Sequence, residues 1–363
     1  MHAYKTAMRR KFIGLWLVTL QLFYSQFVLS QTSGDSITVP HKEKLPVSSY
    51  IEKYDTLVHF EPWLSTKLME YRLYYPNNFK LFLRPVELNT LSLGLYYRFI
   101  DLSIGFSPKF INQNKPDYLT NLSKRFEFST GFSFKRFYLS LDYSEIKGFY
   151  LRNTADFGRS LPEQPNLTFP ELKVKQYGAM INYNFNPRFS RSGMKSGAQS
   201  QLKSAWTFMP ALQYARYRFS DKGISANLEN DNTFSADLNL LFPLYGTLVI
   251  GKNSFISGGL GPSIGVDFYR TLSYTDNQTI VTTKGSSIST GYLADLAMGI
   301  NGRKFYGGFQ GYVRAYGHKI EDVDKMQKVF YSAHVYVGMR FNAPKWTKKT
   351  LDWVNKISPI KFE

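Results

Sequence analysis

Ser332 and His334 stand two residues apart in a run that alternates apolar and polar side chains. On an extended chain this spacing puts both on one face. A serine whose hydroxyl lies within reach of an imidazole base can attack an ester, so the pair suggests lipid hydrolysis. The order is Ser before His, however, and the pattern places no acid to orient the imidazole. The expected role of both residues is therefore to line a polar face, with catalysis as the alternative. His318 cannot assist: a hairpin through 319–327 sets it some seven residues along the strand axis from His334, about 23 Å.

Charged residues offer a second kind of chemistry. Arg98, Asp101, Glu127, Asp142, Asp267, Asp295, Arg314 and Arg340 fall on the polar faces of alternating runs. Unpaired charges in a dry interior are costly, so these residues need water or each other. One reading is the lining of a selective pore; the expected one is an ion-pair network that fills a closed interior. No metal or cofactor site is expected. The chain has no cysteine, which excludes thiolate zinc sites and disulfides. The acidic stretch Glu229-Asn230-Asp231-Asn232 lacks the spaced ligands of a calcium loop. The glycines from Gly259 to Gly265 have neither the spacing nor the following helix of a dinucleotide loop.

The elements that must position these groups are strands. Leu91, Leu93, Leu95, Tyr97 and Phe99 alternate with Thr90, Ser92, Gly94, Tyr96 and Arg98, which is period two. The parity flips at Ile100, predicting a hairpin loop at Phe99-Ile100 with Arg98 opposite Asp101. The same pattern recurs at 126–134, 137–143, 288–300, 305–318 and 331–341, and less regularly at 79–86, 171–186, 204–220, 237–250 and 255–274. This gives about twelve strands (10–14), and the aromatic stretch 50–78 could hide more. The polar face is Ser, Gly, Tyr and scattered charge, while the other face is Leu, Phe, Ile and Tyr. Such strands suit a closed antiparallel transmembrane barrel with lipid outside and a crowded polar lumen. Inward glycines leave room for inward tyrosines, and the predicted register pairs Gly299 with Tyr306.

Short turns (Phe99-Ile100, Lys135-Arg136, Lys252-Asn253, Gly302-Arg303) alternate with longer loops, as in outer-membrane barrels, and both termini fall on the short-turn, periplasmic side. The basic segment 187–203 breaks this rule. It reads as a disordered insert or as a sign that the strand count is off by one.

Before the strands, Lys5, Arg9, Arg10 and Lys11 precede an apolar stretch from Phe12 to Leu29. This is the form of a signal peptide over 1–30, cut near Ser30-Gln31, with an uncleaved membrane helix as the alternative. Residues 31–78 read as a periplasmic segment carrying His41 and His59, 79–343 as the barrel, and 344–363 as a tail. In the tail, Trp346, Thr350, Trp353, Val354 and Ile357 recur at helical spacing among lysines. The tail is expected to form a basic amphipathic helix on the inner leaflet or against the barrel mouth.

The net charge is +18. Export makes nucleic acid an unsuitable partner. Anionic lipid and lipopolysaccharide headgroups fit better, with the barrel-assembly machinery acting during insertion.

Three stretches carry a resemblance: Tyr75-Pro76-Asn77, Leu91-Ser92-Leu93-Gly94-Leu95-Tyr96-Tyr97-Arg98 and Leu102-Ser103-Ile104-Gly105-Phe106-Ser107-Pro108. Over most of 45–343 the chain resembles an uncharacterised family of Gram-negative outer-membrane-type proteins known only as a domain of unknown function. That resemblance implies a barrel and no assigned catalytic residues. The expected role is non-enzymatic: a narrow pore, a structural barrel or a surface-loop binder. The alternatives are a lipid-modifying enzyme using Ser332 and His334, and a soluble periplasmic barrel holding an apolar ligand.

Overall fold

The computed structural model describes residues 46–86, 88–111, 123–158, 166–195, 197–220, 233–274, 280–320 and 323–358. The signal peptide, its cleavage site, His41 and the acidic stretch 229–232 lie outside the described residues. In chain order the strands are β1 (Ile51–Lys53), β2 (Leu57–Tyr74), β3 (Lys80–Pro85), β4 (Asn89–Tyr97), β5 (Ile100–Phe106), β6 (Lys124–Phe134), β7 (Phe137–Leu151) and β8 (Leu167–Tyr183). A short helix α1 (Arg191–Lys195) precedes β9 (Gln199–Gln201), β10 (Ala205–Phe208), β11 (Ala211–Ser220), β12 (Thr233–Leu241) and β13 (Leu244–Ile250). The chain continues through β14 (Ser254–Tyr274), β15 (Ile280–Asn301), β16 (Phe305–Ile320), β17 (Val323–Asn342) and helix α2 (Lys345–Ile357).

Twelve of these strands close an antiparallel ring. It runs β2-β4-β5-β6-β7-β8-β11-β12-β14-β15-β16-β17 and returns to β2. Closure leaves the ring without an unpaired edge, the condition for spanning hydrocarbon with strands. Two wall strands are interrupted at proline, β10/β11 at Pro210 and β12/β13 at Pro243. Pro lacks the N–H that a ladder requires.

The predicted total of twelve holds, but its members differ. Residues 79–86 are not a separate wall strand: β3 is the upper part of the descending strand that becomes β4. The missing member is β2, so the barrel begins at Leu57 rather than at 79. The register puts His59, Glu61, Trp63, Ser65, Lys67, Met69 and Tyr71 inward on β2. That face mixes His59, Glu61, Ser65 and Lys67 with Trp63, Met69 and Tyr71, and the large apolar side chains at its upper end blur the alternation.

β3 pairs with β2 on one side and β7 on the other. The short β5–β6 hairpin therefore widens only the lower wall, and the barrel narrows above it.

The turns correct the predicted register. Tyr97 pairs with Ile100, so the first loop is Arg98-Phe99, with Arg98 at φ 57°. Asp101 consequently faces Tyr96 instead of Arg98. Lys135-Arg136 is a turn as predicted, with Phe134 paired to Phe137. Gly299 pairs with Gly308 rather than Tyr306. The tyrosine–glycine principle still operates one strand over: Tyr306 opposes Gly338, and a Cβ on Gly338 would lie 2.0 Å from the Tyr306 ring. Likewise a Cβ on Gly259 would lie 2.2 Å from the ring of Tyr245, its cross-strand partner.

The outward face carries the apolar stripes. Leu95, Leu102, Phe128, Leu141, Leu212, Leu238, Ile264, Leu296 and Val335 are all exposed. A belt of this extent belongs in hydrocarbon. A belt left exposed in this way overturns the alternative of a soluble periplasmic barrel holding an apolar ligand. At the turn end the belt finishes in a chain of ring contacts, Phe134–Phe137–Tyr183–Phe185–Phe208, with centroids 4.9–5.7 Å apart. Aromatic girdles mark the membrane–water interface. About 9–11 tilted residues cross a bilayer, so β14, β15 and β17, with 21, 22 and 20 residues, overshoot it. No helix among the described residues is long and apolar enough to cross a membrane.

Helix α2 leaves β17 at the turn end. Asp352 accepts a hydrogen bond from Arg98 at 2.6 Å, which ties the helix to the β4–β5 turn. Its Trp346, Trp353 and Ile357 share one exposed face.

Candidate functional site

The interior is built in three tiers, each positioned by inward residues of the alternating strands. The first tier lies at the turn end and is built from residues 184–195 and 197–204. They are neither a disordered insert nor a missed wall strand. β9 pairs with β1, Ile51 opposite Gln201, joining the insert to the N-terminal segment as a small two-stranded sheet. Phe189 and Met194 are buried against Met209, Phe255 and Ala297 of the wall. The Arg191 guanidinium lies 3.5 Å from the centre of the Tyr138 ring. The Gln201 amide donates to the carbonyls of Tyr50, Arg188 and Lys203.

Arg340 locks this tier to the barrel. It donates to the carbonyls of Gly197 and Gly302, to Asn301 Oδ1, and to His59 Nδ1 at 3.2 Å. Its guanidinium lies between the rings of Tyr54 and Tyr306, 4.0 and 4.4 Å from their centres. Cation–π contacts of this kind strengthen where water is excluded.

The tier at the loop end fills the narrowed bore. On one side Met69, Tyr71, Ile146, Phe149, Val174 and Met326 form an apolar cluster. On the other, the fully buried Lys328 donates to Asp237 Oδ1 at 2.7 Å, Asp267 Oδ2 at 2.6 Å and Ser235 Oγ at 2.5 Å. Its ammonium also lies 4.6 Å from the Tyr217 ring centre. His318 Nε2 stands 3.7 Å from Asp267 Oδ1.

Between the two plugs lies a polar chamber. Adjoining cavities of about 300 and 230 Å³ share Trp63, Lys67, Ser103, Ser129 and Tyr312. Lys67 is ion-paired with Glu127, and Arg125 donates to the Lys67 carbonyl at 3.1 Å. Arg314 meets Asp295 at 3.2 Å, and Asp295 also accepts the Tyr245 hydroxyl at 2.8 Å. Asp142 lines the larger cavity.

Seven of the eight charged residues singled out from the sequence thus lie on the inner face. Asp101 accepts from the Tyr138 hydroxyl at 3.0 Å, Glu127 pairs with Lys67, and Asp267 with Lys328. Asp295 pairs with Arg314, Arg340 secures the lower plug, and Asp142 faces the chamber. Arg98 is the exception: it sits in the turn and binds α2. Ser332 and His334 both line the smaller cavity. Ser332 Oγ makes no hydrogen bond among the described residues, and the His334 ring leans on Trp63 and Tyr336.

Sequence reasoning missed Lys328, Asp237 and Lys67. Lys328 shares the parity of Ser332 and His334, so running that alternation four residues further back would have found it. Lys67 lies on β2, where inward Trp63 and Met69 blur the alternation.

The profile of a family described as domain of unknown function (DUF4421) matches residues 46–341. No curated protein matches the chain in sequence. Among solved structures, the outer membrane protease OmpT from Escherichia coli aligns at 8% identity and a TM-score of 0.36, covering 82% of this chain and 99% of its own. The β domain of the Bordetella autotransporter BrkA aligns at 9% and 0.40, covering 78% and 99%. The translocator domain of the autotransporter NalP from Neisseria meningitidis aligns at 12% and 0.36, covering 78% and 88%.

Proposed function

This chain belongs to the family described as domain of unknown function (DUF4421), and from its own geometry we propose that it is a non-enzymatic outer-membrane barrel with a lumen closed at rest. In this reading an N-terminal signal exports the chain, the turn end and α2 face the periplasm, and the loop end faces outward. The observation that carries the proposal is the pair of plugs. Residues 184–195 and 197–204 with β1 occupy one mouth, and the Tyr71–Phe149 cluster with the Lys328 network occupies the narrowed bore. The interior charges are largely consumed in mutual pairs, which suits a filled lumen better than a selective pore lining.

Planar-bilayer recording of the purified barrel tests this. The expected result is no steady conductance at low voltage, and equally no swelling of liposomes in small sugars. Reproducible open steps without applied stress would replace the closed barrel with a narrow pore.

The lipid-modifying enzyme is the second reading, kept alive by the shared face of Ser332 and His334. Its geometry is incomplete, because the serine hydroxyl has no base bonded to it. Ser332→Ala is expected to leave lipid turnover unchanged, measured as release of fatty acid from phospholipid vesicles. A drop of a hundredfold or more would restore the enzyme.

A further inference from the structure

The outward stripe of β17 continues past the end of the strand. Val335, Val337, Met339 and Phe341 are exposed on the wall, with Phe305 of β16 and Leu95 of β4 at the level of Met339. The chain then passes Pro344 into α2, where Trp346, Trp353 and Ile357 are 70, 59 and 58% exposed. They are barer than Met339 and Phe341 of the belt itself.

Two tethers fix how the helix lies. The Ala343 amide donates to the Thr56 carbonyl at 3.3 Å, at the seam where β17 meets β2. Nine residues further on, Asp352 accepts from Arg98 of the β4–β5 turn at 2.6 Å. Nine helical residues span about 14 Å. From the seam to that turn is about two strand spacings, or about 10 Å. A helix held at both ends over such a distance runs along the rim. Pointing away from the barrel, it would carry Asp352 out of reach of Arg98.

The helical period then sorts the side chains. Trp346, Thr350, Trp353 and Ile357 fall on one stripe and are all exposed. Thr347, Leu351 and Val354 fall about a third of a turn away and are half-buried. Lys345, Lys348 and Lys349 take up the remaining side. The helix therefore has one covered side, one bare apolar side and one charged side.

A bare stripe with two tryptophans needs an apolar cover. The apolar belt of the wall ends at Phe341, five residues before Trp346, so the stripe continues a surface that already faces hydrocarbon. Tryptophan suits the boundary between chains and headgroups, because its ring is apolar and its N–H polar. Helices that lie in the plane of a membrane surface carry tryptophan on one face and lysine on another.

We propose that α2 lies in the leaflet at the turn end, with Trp346, Trp353 and Ile357 among the upper acyl chains, and so anchors the rim of the barrel to phospholipid. The occupant of the bare face is lipid, continuous with the lipid around the belt. The inference rests on the membrane-embedded reading given above.

The chain has no cysteine, so single sites can be labelled without background. T350C on the stripe, K348C on the charged side and V335C in the belt each receive a nitroxide. The labelled barrels are first checked for wild-type heat-modifiable migration, then reconstituted into phosphatidylcholine–phosphatidylglycerol vesicles. Collisions of the label with oxygen, which concentrates in lipid, and with a water-soluble nickel chelate are read by electron paramagnetic resonance. The label at 350 is expected about 5–10 Å below the headgroups, with oxygen collisions dominating. At 348 the nickel chelate should dominate, and the label at 335 should lie deeper than the one at 350. Adding W346S/W353S to T350C should shift its label from below the headgroups into water.

Nickel collisions at 350 equal to those at 348, with 335 still in lipid, overturn the inference and leave the belt in place. Protection of 350 from both reagents marks a protein on that face and overturns it as well. A label at 350 whose depth is unchanged by W346S/W353S overturns the anchoring by the tryptophans. A label at 335 that meets the nickel chelate as freely as one at 348 removes the membrane reading itself.

Discussion

Replacing Lys328 by Met is expected to cost the barrel about 3–5 kcal/mol. Methionine keeps most of the length of the unbranched side chain and removes its charge. Asp237 and Asp267 are direct cross-strand neighbours, and the Lys328 ammonium is bonded to both. Without it two carboxylates face each other in a region closed to water, and neither can be resolvated without opening the wall. Urea unfolding of the barrel in detergent micelles, followed through Trp63 in the chamber, measures the loss. The compensated variant K328M/D237N/D267N should recover more than half of it, because the penalty lies in the uncompensated charge more than in the lost pair. A K328M barrel that unfolds at the wild-type urea concentration would show that the network contributes nothing to stability.

The second large effect is expected at Arg340. Arg340→Ala removes four hydrogen-bond donations and two ring contacts that join β17, the insert and the N-terminal segment. The barrel wall should persist, since its ladders are untouched, but the lower plug should loosen. A loss of about 2–4 kcal/mol follows from leaving the buried carbonyl of Gly197 and the half-buried one of Gly302 without donors. Trypsin reads this directly, because Arg188, Arg191, Lys195 and Lys203 all lie in or beside the insert. When reclosing is faster than cleavage, proteolysis follows the open population. Cleavage there should rise about thirtyfold or more, since each 1.4 kcal/mol is roughly a factor of ten. Arg340→Lys keeps the charge but loses the planar fork, and should fall between the two. Equal cleavage of wild type and R340A would mean that the insert is held by other contacts.

Legibility followed the contrast between the two faces of each strand. Where one face was Leu and Phe and the other Ser, Gly and charge, as in β4 to β6 and β15 to β17, strand and orientation could be read from alternation alone. β2 defeated that reading because its inner face carries Trp63, Met69 and Tyr71, which fill a lumen instead of facing lipid. The β4–β5 turn was displaced by one residue for a local reason. Phe99 continues the apolar parity, but it is buried at the turn while Arg98 takes the positive φ.

What the sequence determined by itself was the material of the barrel. Period-two patterning sets strand after strand with one greasy and one polar side, and a chain of such strands can satisfy its backbone in hydrocarbon only by closing. What the tertiary structure alone decided was which charges meet and what fills the bore. Asp237 and Lys328 are ninety-one residues apart in the chain, and Gly197 and Arg340 one hundred and forty-three. Partners so distant are fixed by the register of the whole ring and by how far one strand slides along the next. The plugs arise in the same way. Only after closure does the bore have a width, and only then does a basic segment that reads as a loop have a mouth to enter.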